Sequence, residues 1–114
     1  MGEVVQVPDV PKGLEIIGDV GSYFFRRFPQ PTGMGWLTFE EKVSSEARYA
    51  VREQFFLSWE GDRCWIYPPA VAPKNTTVVQ GEELTAPRIL QQCDVIALRG
   101  KSGRCAMPLV VIYR

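Results

Sequence analysis

The chain has 114 residues, of which 46% are hydrophobic and 23% charged, enough apolar side chain to bury one core. Its 13 Lys and Arg cancel its 13 Asp and Glu, so it lacks the overall positive charge of a phosphate-backbone binder, and nucleic acid is not an expected partner. No stretch approaches the roughly 18 to 20 apolar residues of a membrane span, no secretion signal opens the chain, and Gln6 stands where N-myristoylation wants Ser or Thr, so neither membrane insertion nor a lipid anchor is expected.

The sequence has no His, the usual base for Ser and Cys nucleophiles and a common zinc ligand. Its three Cys, at Cys64, Cys93 and Cys105, form no Cys-x-x-Cys pair, and four would be needed for an all-Cys zinc site. No metal, no cofactor and no catalysis are expected. An odd, scattered cysteine count also argues against a secreted disulfide framework and points to a reducing cytoplasm.

Residues 1–13 carry Pro8 and Pro11 and read as an extended leader, with a single domain over residues 14–114. Leu14–Ile17 and Tyr23–Phe28 flank a Gly-Asp-Val-Gly-Ser turn and predict a hairpin. Pro29, Pro31, Gly33 and Gly35 predict a loop that stops any strand. Thr38 and Glu41 have capping-box spacing, and the apolar positions Phe39, Val43, Ala47, Ala50 and Val51 predict one short amphipathic helix from Thr38 to Ala50.

Beyond Val51 the pattern is strand and turn. Phe55–Trp59 and Arg63–Tyr67 around Glu60-Gly61-Asp62 predict a second hairpin, and Thr76–Val79, Asp94–Leu98 and Leu109–Tyr113 predict three more strands. The expected core takes Phe55, Leu57, Trp65, Ile66, Val79, Ile96, Leu98 and Val111. Trp36, Trp59 and Trp65 are expected in or at the edge of that core rather than on a free surface. Short antiparallel strands at this spacing predict an all-β sandwich with one short helix or helical insertion. Gly100-Lys101-Ser102 echoes a P-loop ending, but Val95 occupies the position of its first Gly, so that motif is rejected.

Three motifs in order resemble the forkhead-associated (FHA) domain over about residues 51 to 113. Asn75-Thr76-Thr77-Val78-Val79-Gln80-Gly81 is similar to that family's Asn-Gly-Thr-x-Val-Asn-Gly. Leu90 to Leu98 is similar to its Leu-x-x-Gly-Asp-x-Ile-x-Leu, with Cys93 in the Gly position, and the aromatic hairpin Phe55 to Tyr67 precedes both. The resemblance implies an FHA-like β-sandwich and a non-catalytic module that binds a protein partner, in this family a phosphothreonine peptide. Two phosphate-binding positions depart from the pattern. Arg52-Glu53-Gln54-Phe55 falls on the family's Ser-Arg-x-His, which puts Arg52 at the hydroxyl donor and Phe55 at the supporting His, and the family's upstream Gly-Arg has no counterpart by sequence.

A phosphate is held by converging guanidinium, ammonium, hydroxyl and amide donors on loops at one end of a scaffold. Arg52, Lys74, Asn75 and Thr76 are the candidate ligand-binding residues if their two loops lie side by side. With the family's donors depleted, the expected function is protein recognition without a strict need for phosphothreonine. The alternatives are a structural subunit of an obligate assembly and a phosphopeptide-binding FHA domain with an altered site.

Overall fold

Ten short strands form among residues 6–28 and 30–114, the part of the chain that the computed structural model describes. They are β1 (Gly13–Ile17), β2 (Ser22–Arg26), β3 (Thr32–Met34), β4 (Phe55–Glu60), β5 (Arg63–Tyr67), β6 (Thr76–Val79), β7 (Glu82–Glu83), β8 (Arg88–Ile89), β9 (Val95–Arg99) and β10 (Cys105–Tyr113). A six-stranded sheet has the order β2-β1-β10-β9-β6-β7 and a four-stranded sheet the order β3-β4-β5-β8. All the strand pairings are antiparallel. The helices are a single turn, α1 (Trp36–Phe39), and a 3-10 turn at Ala47–Tyr49, so none is long or apolar enough to cross a membrane.

Both expected hairpins form. In the second, Gly61 takes a positive φ of 61° at the turn, and a further tight turn is made by Gln80 and Gly81 at φ 52° and 78°. Of the expected leader, residues 1–5 lie outside the described residues, and Gly13 already belongs to β1. The core between the sheets takes Phe55, Leu57, Ile66, Val79, Ile96, Leu98 and Val111 as expected. Trp65 does not join it. On β5 the alternation turns Cys64 and Ile66 inward, so Trp65 lies half-buried on the outer face beside Ile89. Trp59 is buried edge-on to Tyr113, with the Arg27 guanidinium over its ring, whereas Trp36, expected in or at the edge of the core, is exposed.

The helix expected over Thr38 to Ala50 does not form. Glu40 is extended at ψ 129° and Glu41 is left-handed at φ 61°, which ends α1 after one turn. The Thr38 hydroxyl accepts the Gly35 amide at 3.2 Å instead of capping a helix ahead of it. Beyond it, Ser44 and Ser45 bind local backbone and Asp19 rather than continuing a helix. The apolar residues of the segment are nevertheless buried at Phe39, Val43, Ala47 and Ala50, so the spacing marked burial without marking a helix.

Two further corrections concern strands. The Pro/Gly segment read as a loop contains β3, whose Met34 is buried opposite Phe55, because Pro31 stands just outside the paired residues. β10 begins at Cys105 rather than Leu109, since a bulge between Ala106 and Leu109, with Met107 at φ 52°, breaks the alternation that sequence reading follows.

The sheets are tied by polar groups as well as by the core. The Tyr113 hydroxyl, on β10, donates to the Leu90 carbonyl at 2.6 Å and accepts the Cys64 amide of β5 at 3.0 Å. Asp94, buried, accepts the Gln91 amide at 2.8 Å and serves the turn into β9.

Two tests follow from these positions. Exposed Cys93 holds φ 66°, where the family has Gly, and a left-handed L-residue costs about 1 to 2 kcal/mol, partly offset by the greater chain entropy of glycine. Cys93→Gly is therefore expected to raise stability by about 0.5 to 1 kcal/mol in urea unfolding, with the m-value unchanged. Burial pushes both Tyr113 and Cys64 up to about 12. Each stays protonated in the fold at pH values where it has ionised in the unfolded chain, so the unfolded chain holds fewer protons there and stability falls as pH rises. Chemical unfolding between pH 7 and 12 should show stability level to about pH 9 and then declining, with a shallower decline in Tyr113→Phe.

Candidate functional site

One end of the sandwich gathers the β1–β2 turn, the long segment from β3 to β4, the β5–β6 loop and the β9–β10 turn. These loops hold one another. The Val20 amide donates to the Val43 carbonyl at 3.0 Å, Asp19 accepts both the amide and the hydroxyl of Ser45, and Glu46 accepts the Met107 amide at 3.2 Å. The two hydrogen bonds from Ser45 hold the exposed Asp19 carboxyl below its ordinary value, the hydroxyl contributing most.

Gln54, immediately before β4, is fully buried and joins the segment that carries Arg52 to the loop that carries Lys74 and Asn75. Its Nε2 donates to the Asn75 carbonyl at 2.7 Å and to Thr77 Oγ1 at 3.0 Å, and its Oε1 accepts the Val51 amide at 3.0 Å. Phe55, one residue on, is an apolar core residue stacked on Phe39 with ring centroids 6.1 Å apart. The polar side chain that supports this end is Gln54, one residue before the Phe55 that falls on the family's supporting His by sequence.

β3 ends at Met34, and Gly35 follows it in close contact with the segment before β4. At Gly35 a Cβ would collide with the carbonyl oxygens of Val51 and Arg52, so only glycine lets β3 close onto that segment. The next residue is Trp36, whose ring is exposed.

The four expected donors do not open onto one cleft. Asn75 lines a cleft of about 420 Å³ with Tyr49, Gly100, Ser102, Arg104 and Cys105. Lys74 lines a separate one with Glu53 and Phe56, and Thr76 a third, with Glu83, beyond the Pro68–Pro73 loop. Arg52 is exposed and lines none of these clefts. Lys74 and Asn75 lie in a bend just before β6, and Lys74, Asn75 and Thr76 each line a different cleft. The Asn75 amide is also engaged, donating to the Tyr49 carbonyl at 2.8 Å. The cation that does share the Asn75 cleft is Arg104, which forms no ion pair among the described residues. The only sequence signal for it was a local excess of positive charge in the C-terminal stretch. Among the described residues no group of three or more Cys, Asp or Glu converges to hold a metal.

No family model matches the sequence, and no curated protein does. Solved structures of FHA domains are similar in fold. One comes from a structural and functional analysis of phosphothreonine-dependent FHA domain interactions, with 18% identity, a TM-score of 0.61, and 90% of this chain and 97% of that one covered. A second is the FHA domain of an Arabidopsis thaliana hypothetical protein, at 12% identity and a TM-score of 0.66 over 99% of this chain and 94% of that one. A third, the Rv0020c FHA structure, gives 15% identity and a TM-score of 0.56 over 90% and 93%. The chain has the FHA fold along nearly its whole length, well beyond the segment that carries the sequence resemblance.

A pair of glycine variants tests the packing of this end. Gly35→Ala should cost about 1 to 3 kcal/mol, because its methyl meets two backbone carbonyls that cannot rotate away. Gly100→Ala, whose nearest neighbour would be Asn75 Oδ1 at 3.6 Å, should change stability by less than about 0.5 kcal/mol. Thermal or urea melts of the two proteins compare them directly.

Proposed function

We infer that this chain is a non-catalytic protein-interaction module of FHA fold that receives its partner at the loop end of the sandwich, without a strict need for phosphothreonine. The observation that carries this reading is the bridge from Gln54 to the Asn75 loop. With Gln54 read in the place of the family's His, Val51 falls on the hydroxyl donor and Arg52 on the Arg that follows it, and with Gly35 read in the place of the upstream Gly, Trp36 falls on its Arg, so an apolar and an aromatic side chain replace two phosphate donors. A hydrogen bond to a charged group contributes roughly 1.5 to 3 kcal/mol, so losing both donors removes affinity by orders of magnitude.

Partner binding then centres on the Asn75 cleft. Arg104 and Ser102 offer polar contacts there, and the Tyr49 ring an apolar one. Arg52, exposed at the neighbouring loop, is a second guanidinium that an anion approaching from outside can meet. A cytoplasmic setting fits the three free thiols, of which Cys93 and Cys105 are exposed.

Calorimetric titration of the protein with a phosphothreonine peptide library and its unphosphorylated twins tests this reading. Equal affinity for both libraries, weakened by Arg104→Ala, is the expected result. Micromolar binding that requires phosphate and disappears in Arg52→Ala would overturn it in favour of a phosphopeptide-binding domain with an altered site.

A further inference from the structure

The six-stranded sheet ends at β2, which is hydrogen-bonded to β1 alone. The hairpin closes with the Gly18 amide on the Gly21 carbonyl, and antiparallel alternation from that pair turns the backbone groups of Tyr23 and Phe25 toward β1. The N–H and C=O of Ser22, Phe24 and Arg26 therefore face the open side. Edge strands in natural proteins are commonly blunted by Pro, Lys or a bulge, and Ser22–Arg26 has none of these.

Alongside this edge runs a groove of about 400 Å³ lined by Tyr23, Phe25, Phe28 and Thr32, the last of these on β3, the edge of the other sheet. Phe24 is 42% and Phe28 53% exposed, large apolar rings left facing water. Arg26 lines the same groove, is exposed and forms no ion pair among the described residues. Three features thus coincide along one strand: backbone donors and acceptors without a partner among the described residues, an apolar slot beside them, and a cation with no ion pair among those residues.

We propose that the open edge of β2 is a docking strand for an extended partner segment in which apolar residues alternate with acidic ones. The added strand pairs with Ser22, Phe24 and Arg26. Its apolar side chains enter the groove between the two sheet edges, and its carboxylates reach Arg26 on the outer face. A second copy of this chain fits less well. An antiparallel β2 pair centred on Phe24 would set each Arg26 against Ser22 of its partner, with no acid to meet it, and would double a six-stranded sheet, beyond the roughly 10 strands that twisted open sheets usually reach. This edge is separate from the Asn75 cleft, and its use does not depend on what that cleft binds.

The probe is a capped ten-residue peptide alternating Val and Glu, with a Val/Lys counterpart, titrated into the whole protein and followed by amide NMR shifts and hydrogen exchange. At a free concentration about ten times its Kd, the Val/Glu peptide should slow exchange at Ser22, Phe24 and Arg26 about tenfold. It should bind about threefold or more tighter than the Val/Lys peptide, and Arg26→Glu should reverse that order. Ser22→Pro, at the first residue of the strand where proline is tolerated, removes one outward donor and should weaken binding of the Val/Glu peptide. The Arg26→Glu reversal stands as the test if the proline variant fails to fold. Binding of neither peptide, shifts confined to the Asn75 and Arg104 cleft, or self-association through β2 without peptide uptake would overturn the proposal.

Discussion

A single buried amide decides how the loop end of this sandwich is built. Gln54 sits where the four-stranded sheet begins and reaches across to the strand that opens with Thr76 in the six-stranded sheet. Its two side-chain N–H groups and its Oε1 are all satisfied, and the Thr77 hydroxyl donates to the main-chain carbonyl of Gln54 at 3.3 Å. Each of these groups, left unpaired in the interior, would cost about 1 to 3 kcal/mol, so the two loops keep this one relative position. The location of Asn75, and with it the cleft shared with Arg104, follows from that constraint.

The opposite end of the sandwich carries a tie of the same kind. Tyr113 spans the sheets through its hydroxyl, while its ring meets Trp59 edge-on at 5.8 Å and lies under Arg63. Between the two ties the core is apolar, with Leu14, Ile16, Leu57, Ile66, Ile96 and Val111 from both sheets. Hydrophobic burial supplies most of the stability, and the two polar ties select one alignment of the sheets. Fixed at both ends, the frame can change exposed residues between β3 and β4 without losing the fold.

Much of this was legible in the sequence because strand alternation is a local signal. The hairpin from Phe55 to Tyr67 and the strands around Val79, Ile96 and Val111 are simple period-two patterns. Sequence reading failed where local pattern and tertiary burial disagree. The apolar residues from Phe39 to Ala50 are spaced like a helix yet are buried from irregular chain, since Glu41 turns left-handed. The bulge at Met107 hid the first half of β10. The motif Asn75-Thr76-Thr77 falls at the bend and strand start that Gln54 bridges. Which clefts its side chains line depends on that bend and on the arrival of Arg104 from a turn distant in sequence. The bridging role of Gln54 was not legible, because a buried Gln is recognisable only once its three partners are seen.

The most direct test of the Gln54 tie is a double-mutant cycle between Gln54→Met and Thr77→Val, two near-isosteric changes that remove the bridging groups with little loss of volume. Unfolding free energies of the wild type, both single variants and the double variant give the coupling. If the amide fixes the two loops, the coupling is expected to be at least about 1 kcal/mol. Additivity within about 0.3 kcal/mol would contradict that tie and, with it, the placement of the Asn75 cleft.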